Sequence, residues 1–147
     1  MNVALSCGAP KLGARALLIR GPSGAGKSRL VLALLQQAGS GDWPFVRLVA
    51  DDRSLVEAHH RRLVVRPLPQ NAGLIEVRGL GIRRLAYEPA AVVGRVVDLA
   101  AADGARLPDQ ASLRAVIEGI TLPRLPVAAD ADALAVISAS LASDPAC

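Results

Sequence analysis

Hydrophobic positions along this chain fall into short blocks that switch between two periodicities. Residues 14–20 (ARALLIR) form a short, mostly apolar run that stops at Gly21, the pattern of a buried strand. Across residues 27–37 the apolar residues Leu30, Val31, Leu34 and Leu35 recur at helical spacing and predict an amphipathic helix. Residues 39–44 (GSGDWP) have loop composition, and residues 45–50 form a second apolar run that ends on the acidic pair Asp51-Asp52. The pattern then becomes strand-like. Residues 54–58 and 62–66 read as strands with His59-His60-Arg61 at their turn, and residues 74–77 and 95–99 are further candidates. Residues 112–127 hold two more extended segments, broken by Gly119, Pro123 and Pro126. The alanine-rich stretch 131–142 suits a terminal helix.

One helix after the first loop, many short strands and a closing helix predict an α/β fold with a mixed, strand-rich sheet. Repeated βαβ units are disfavoured, because a second long crossover helix is missing. The 147 residues are expected to form a single domain, 1–147. Hydrophobic residues at 52% against 20% charged place the chain among globular rather than disordered proteins. No run approaches ~18 uninterrupted apolar residues, so no membrane span is expected, and the first ten residues lack the basic-then-apolar order of a secretory signal. Cys7 and Cys147 have no metal-like spacing. A reduced, cytoplasmic protein fits them, and a disulfide between them has no support.

The net charge of +4 is carried almost wholly by arginine, since Lys11 and Lys27 are the only lysines. Aromatics at 2% leave almost no stacking platform, and no nucleic-acid motif is present, so nucleic acid is not an expected partner. Ordinary surface charge is the plainer reading, with steering of an acidic partner protein as the lesser one.

Gly21-Pro22-Ser23-Gly24-Ala25-Gly26-Lys27-Ser28 matches the phosphate-binding pattern G-x-x-x-x-G-K-[ST] at every fixed position. Glycines let successive N–H groups curl around a phosphate. Lys27 supplies a point charge for the β- and γ-phosphates, Ser28 a hydroxyl for Mg²⁺, and the helix that begins here the positive end of its dipole. The required context, a strand before and a helix after, is predicted on both sides.

Such a loop needs an acidic partner to hold the metal and position its water. Leu48-Val49-Ala50-Asp51-Asp52 offers one: an apolar strand ending in two carboxylates. Standing alone the pair reads as a solvated turn; beside the phosphate-binding loop it suits a kinase, with one carboxylate for Mg²⁺ and one to take a hydroxyl proton. Glu76 and Arg78 lie two apart, so on a strand they would share one face, with Gly79 and Gly81 free to turn beside a ligand. On their own they read as a surface ion pair before a glycine turn; beside the loop and the acidic pair the functional reading is favoured. His59-His60 reads as an exposed turn, Trp43 and Phe45 as a local packing anchor, and Cys7 has no motif that would make it a nucleophile.

GPSGAGKS, then VADD, then Leu74-Ile75-Glu76-Val77-Arg78-Gly79-Leu80-Gly81-Ile82 together resemble the catalytic domain of HPr kinase/phosphorylase, in its short α-proteobacterial form. The glutamate, aliphatic, Arg-Gly, aliphatic, Gly-Ile block is the most distinctive part, and the resemblance spans about residues 13–127. It implies a P-loop domain of the phosphoenolpyruvate carboxykinase-like type and an ATP- and Mg²⁺-dependent protein-serine kinase that phosphorylates the phosphocarrier HPr, or an HPr-like protein, of the phosphotransferase system. By this resemblance Lys27 binds the triphosphate within the loop Gly21 to Ser28. Ser28 and Glu76 hold Mg²⁺, and Asp51 supports the metal's water shell. Asp52 is the general base, and the general acid in reverse. Arg78 orients the loop and stabilises phosphoryl charge, and Arg106 stabilises the transition state. A homo-oligomer, a hexamer in the family, is implied as well.

The chain departs from the family pattern at four places. No histidine precedes the first strand within residues 1–20, Arg29 stands where an acid is usual, and residues 39–45 look inserted. The family's P-V-x-x-G-R-N loop is reduced to Pro126-Val127-Ala128-Ala129-Asp130, which puts phosphorylase activity in doubt. The sequence leaves two other functions open: a non-catalytic ATP-binding sensor and a P-loop kinase of a small hydroxylated metabolite.

Overall fold

The computed structural model describes residues 2–9, 13–41 and 43–143. Its order is β1 (Asn2–Ala9), β2 (Gly13–Arg20), α1 (Lys27–Gln36), β3 (Phe45–Ala50), β4 (Ser54–His59), β5 (Arg62–Pro67), β6 (Leu74–Val77), β7 (Gly81–Arg84), β8 (Ala91–Leu99), β9 (Arg114–Ile117), β10 (Ile120–Val127) and α2 (Ala133–Ala142). The expected mixed, strand-rich α/β fold is present. Two strands were not foreseen, β1 and β7, and β8 begins four residues earlier than its apolar pattern suggested.

Eight strands form the main sheet. Along it run β3, β1, β2, β8, β10 and β9, and the β4–β5 hairpin joins through β5 and β8. The β2–β8 and β8–β10 pairs are parallel and the remaining pairs antiparallel. Both faces of the central strands are covered, which is why their sequences run nearly unbroken in apolar residues. On one face Val3, Leu5, Leu17, Ile19 and Val97 pack with Leu30, Val31 and Leu34 of α1 and Ile137 and Leu141 of α2. On the other, Ala4, Ala16, Leu18, Val49 and Val96 pack with Leu63 and Val65 of β5 and Leu122 of β10. Each large side chain so buried contributes roughly 1.5–3 kcal/mol against exposure.

Local turn chemistry explains the hairpins. His60 and Arg61 both take positive φ (49° and 62°), as do Glu118 and Gly119 (49° and 76°), giving two-residue connections whose twist matches that of the strands. His59 and His60 are exposed there, as expected. Trp43 is buried, and its indole N–H donates to Ser138 Oγ of α2 at 3.3 Å, so it anchors the loop before β3. Cys7 is buried, and burial pushes its thiol up to about 12, which leaves it inert at neutral pH. Cys147 lies outside the described residues.

The β6–β7 hairpin is a separate two-stranded sheet. It is fastened at its base by Gly73, which has φ +75° and whose carbonyl accepts the Leu85 N–H at 2.7 Å. A Cβ at Gly73 would sit 2.8 Å from the Tyr87 ring, so only glycine fits there. The segment after β7 then runs beside β3, where Glu88 N–H donates to Leu48 O at 2.8 Å. These links bring the hairpin against the acidic end of β3.

Candidate active site

The loop between β2 and α1 has the expected form. Gly24 and Gly26 adopt φ of 82° and 93°, a region costly for any residue with a Cβ. Gly26 caps α1 with no side-chain acceptor, so the first-turn N–H groups are free of protein side-chain caps. Lys27 is buried, at 7% exposure, and its ammonium donates to Gly21 O at 2.6 Å and Pro22 O at 3.1 Å. The lysine thus closes the loop on itself and stands at the cleft wall.

Facing it, Asp51 and Asp52 follow β3. Asp51 Oδ2 accepts the backbone N–H of Glu76 at 3.1 Å. Burial pushes the Asp51 carboxyl up; the Glu76 N–H opposes this, the Asp52 and Glu76 charges add to it, and Lys27 opposes it. Asp52 is exposed with φ +60°, which turns the chain sharply away from the strand.

A cleft of about 1090 Å³ gathers these parts. Its walls include Lys27 and Ser28 from α1, Asp51 and Asp52 after β3, and Glu76 and Arg78 from the hairpin. A smaller cavity of about 220 Å³ shares Asp51, Asp52 and Glu76 with it and adds Arg53, Asn71 and Ile82. The carboxylates therefore border two spaces, one beside the glycine-rich loop and one beside the exposed hairpin residue Ile82.

Glu76 and Arg78 do not share a strand face as expected. β6 ends at Val77, and Arg78 lies in a turn closed by Leu80 N–H to Val77 O at 2.9 Å, with Gly79 and Gly81 at φ 90° and 84°. Both still line the large cleft. Arg106 is not brought into it: it sits on the exposed loop after β8, outside the lining residues. Arg29, Leu32 and Gln36 also line the cleft. They were not singled out as site residues, although their three- and four-residue spacing down one face of α1 carries the signal.

Among the described residues no three His, Cys, Asp or Glu side chains converge on a point that could hold a metal by themselves. The donors present are hard oxygens: the Ser28 hydroxyl and the Asp51 and Glu76 carboxylates. This fits Mg²⁺, which is typically held by one or two carboxylates together with substrate phosphates and waters. No described helix is long and apolar enough to cross a membrane.

A scan against protein-family models gives no match, and a search of curated proteins gives none. Among solved structures, the chain superposes on the HPr(Ser) kinase/phosphatase from Coxiella burnetii with a TM-score of 0.73. The overlap covers 96% of this chain and 91% of that one, at 21% sequence identity. The fold is that of an HPr kinase-like domain. The mixed, strand-rich P-loop fold expected from the sequence is consistent with it.

Proposed function

We propose that this chain is an ATP- and Mg²⁺-dependent protein-serine kinase whose acceptor is HPr or an HPr-like phosphocarrier protein. The observation that carries the reading is the convergence of Lys27, Ser28, Asp51, Asp52 and Glu76 on one cleft from three separate elements. The HPr kinase-like fold supports it.

In this reading Lys27 and the α1 N-terminus bind the terminal phosphates, and Ser28, Asp51 and Glu76 hold Mg²⁺, which supplies charge neutralisation at the phosphoryl group. The acceptor hydroxyl approaches through the smaller cavity, where Asp52 is reachable from both spaces. Asp52 takes the hydroxyl proton as the serine oxygen bonds to the γ-phosphorus and the bond to ADP breaks. Arg78 and Arg29 at the rim offset developing charge; Arg106 would serve only after its loop moves toward the cleft. The segment after β10, Ala128-Ala129-Asp130, has neither glycine nor arginine, which supports a kinase with weak or absent phosphorylase activity. The reading places the protein in the cytoplasm, where its substrates reside, as a homo-oligomer.

The test is incubation of purified protein with Mg·ATP and HPr from the same organism, read by intact mass, with Lys27→Ala and Asp52→Asn as controls. A gain of one phosphate on HPr, lost in both variants, supports the proposal. ATP binding without transfer would point instead to the sensor reading or a different acceptor.

A further inference from the structure

Four charged side chains outside the cleft form one continuous chain that ends at the base of the phosphate-binding loop. Arg20, the residue before Gly21, forms a two-pronged pair with Asp98 of β8: Nε to Oδ1 at 2.7 Å and Nη2 to Oδ2 at 2.8 Å. The same Asp98 Oδ2 accepts Arg124 Nε from β10. Arg124 in turn grips the loop after β8 with its two remaining nitrogens, reaching Asp103 at 2.7 and 2.9 Å and Ser112 O at 2.8 Å.

The placement follows from register. Arg20 lies directly opposite Asp98 in the parallel β2–β8 pair, and Arg124, opposite Val96, is the diagonal neighbour on the same face. The next residue of β8 holds the loop as well: a Cβ on Gly21 would lie 3.2 Å from Leu99 Cβ and 3.3 Å from Leu99 O. Adjacent residues of one strand thus fix Arg20 by charge and Gly21 by contact. Asp98 and Arg124 side chains are each only 14% exposed, so solvent screens these bonds weakly. Burial works to raise the Asp98 carboxyl, but its hydrogen bonds from Arg20 and Arg124 outweigh this and hold it below the usual range.

We infer that Asp98 is a positioning residue that sets the angle at which the phosphate-binding loop leaves β2. Through Arg124 it makes nucleotide affinity depend on the loop 100–113, which does not line the cleft. This rests on the nucleotide-binding part of the proposed function and not on the identity of the acceptor. Planar two-pronged pairs fix direction as well as distance, which a lysine or an amide at either position cannot reproduce.

The test uses the full chain and Mg·ATP. Binding is measured by titration calorimetry, and hydrogen exchange is followed at residues 21–28, for Asp98→Asn, Arg124→Gln and the double variant. The expected result is a dissociation constant raised about tenfold in each single variant, no further rise in the double variant, and faster exchange at residues 21–28 in all three. Asp103→Asn, at the half-exposed end of the chain of charges, is expected to show a smaller effect in the same direction and guards against misfolding of the buried variants. Unchanged affinity and unchanged exchange at residues 21–28, whatever the loss of melting temperature, would overturn the inference. If wild-type protein does not bind Mg·ATP at all, the nucleotide reading fails, and the exchange comparison decides the positioning role by itself.

Discussion

The Glu76 N–H donates to the Asp51 carboxylate at 3.1 Å, so the backbone of β6 is fastened to the acidic end of β3. The bond also keeps a half-buried carboxylate in place beside two others. Because Asp51 has a raised pKa in the folded state, its ionised form costs stability at neutral pH, and that cost fades as pH falls into the range where it protonates. Asp51→Asn retains an acceptor for the Glu76 N–H. It should raise the melting temperature of the unliganded protein at pH 7, with a smaller gain near pH 4.5. It should also weaken Mg·ATP binding. Calorimetric melts at both pH values, with and without Mg·ATP, check both parts.

Asp52 combines exposure with φ +60°, a conformation that Asn tolerates at least as well. Asp52→Asn should therefore leave stability within ~0.5 kcal/mol while lowering phosphoryl transfer by about 10²-fold or more. Asp52→Val should lose both, since a β-branched residue in that region costs about 1–3 kcal/mol. Urea melts beside single-turnover assays separate the two effects.

Acid should act through Asp98. Its folded pKa is depressed, so its contribution is fully present above the unfolded value near ~3.9 and is lost as pH falls through the folded value. Wild-type protein should exceed Asp98→Asn in stability by about 2–3 kcal/mol at pH 7, with the gap closing on acidification below pH ~4. Urea midpoints at pH 7, 5 and 3 give the comparison.

Two glycines should resist alanine for different reasons. A Cβ at Gly104 would lie 2.6 Å from Ala128 N and 2.9 Å from Ala128 Cα, backbone that cannot step aside. Gly104→Ala should cost about 1–3 kcal/mol by overpacking. Gly24 has open space but φ +82°, so Gly24→Ala should cost about 1–2 kcal/mol and weaken nucleotide binding with it. Denaturant melts of the two variants should show stability impaired at both, and nucleotide titrations should show a clear loss of binding at Gly24 and a smaller one at Gly104, which adjoins the Asp103 held by Arg124.

Those parts of the fold with strong local signals were legible in the sequence. The β2–loop–α1 unit announces itself through an apolar run, fixed glycines and helical spacing, and β3 through the acids that end it. β1 was missed because Val3 to Cys7 are all buried, on alternate faces of a doubly covered strand, so small residues such as Ala4 and Ser6 stand where alternation would be sought. β7 was missed because Gly81 to Arg84 are all exposed and become a strand only by pairing with β6. Of the proposed site, the glycine-rich loop and the Asp51-Asp52 pair were legible from type and spacing, whereas Glu76 stood out only through the family resemblance, because alone it reads as half of a surface ion pair. The Asp98 chain was not, because its partners lie 78 and 26 residues away and meet only once the register is set.

β1 runs between β2 and β3, so the strand that launches the glycine-rich loop and the strand that ends in the acids are never neighbours. Two strand spacings, roughly 10 Å, separate the C-terminal end of β2, from which the loop leaves, from the C-terminal end of β3, which the acids follow. β1 is thus the spacer between the two strands whose ends carry the walls, and none of its described side chains lines the cleft. Its pairing with β3 already shifts register between Ala4 and Leu5. A further slip of one residue would exchange Val3, Leu5 and Cys7 with their small neighbours across the sheet and misalign the two walls together. The spacing of the two walls is gauged by a strand whose described side chains all stand outside the cleft.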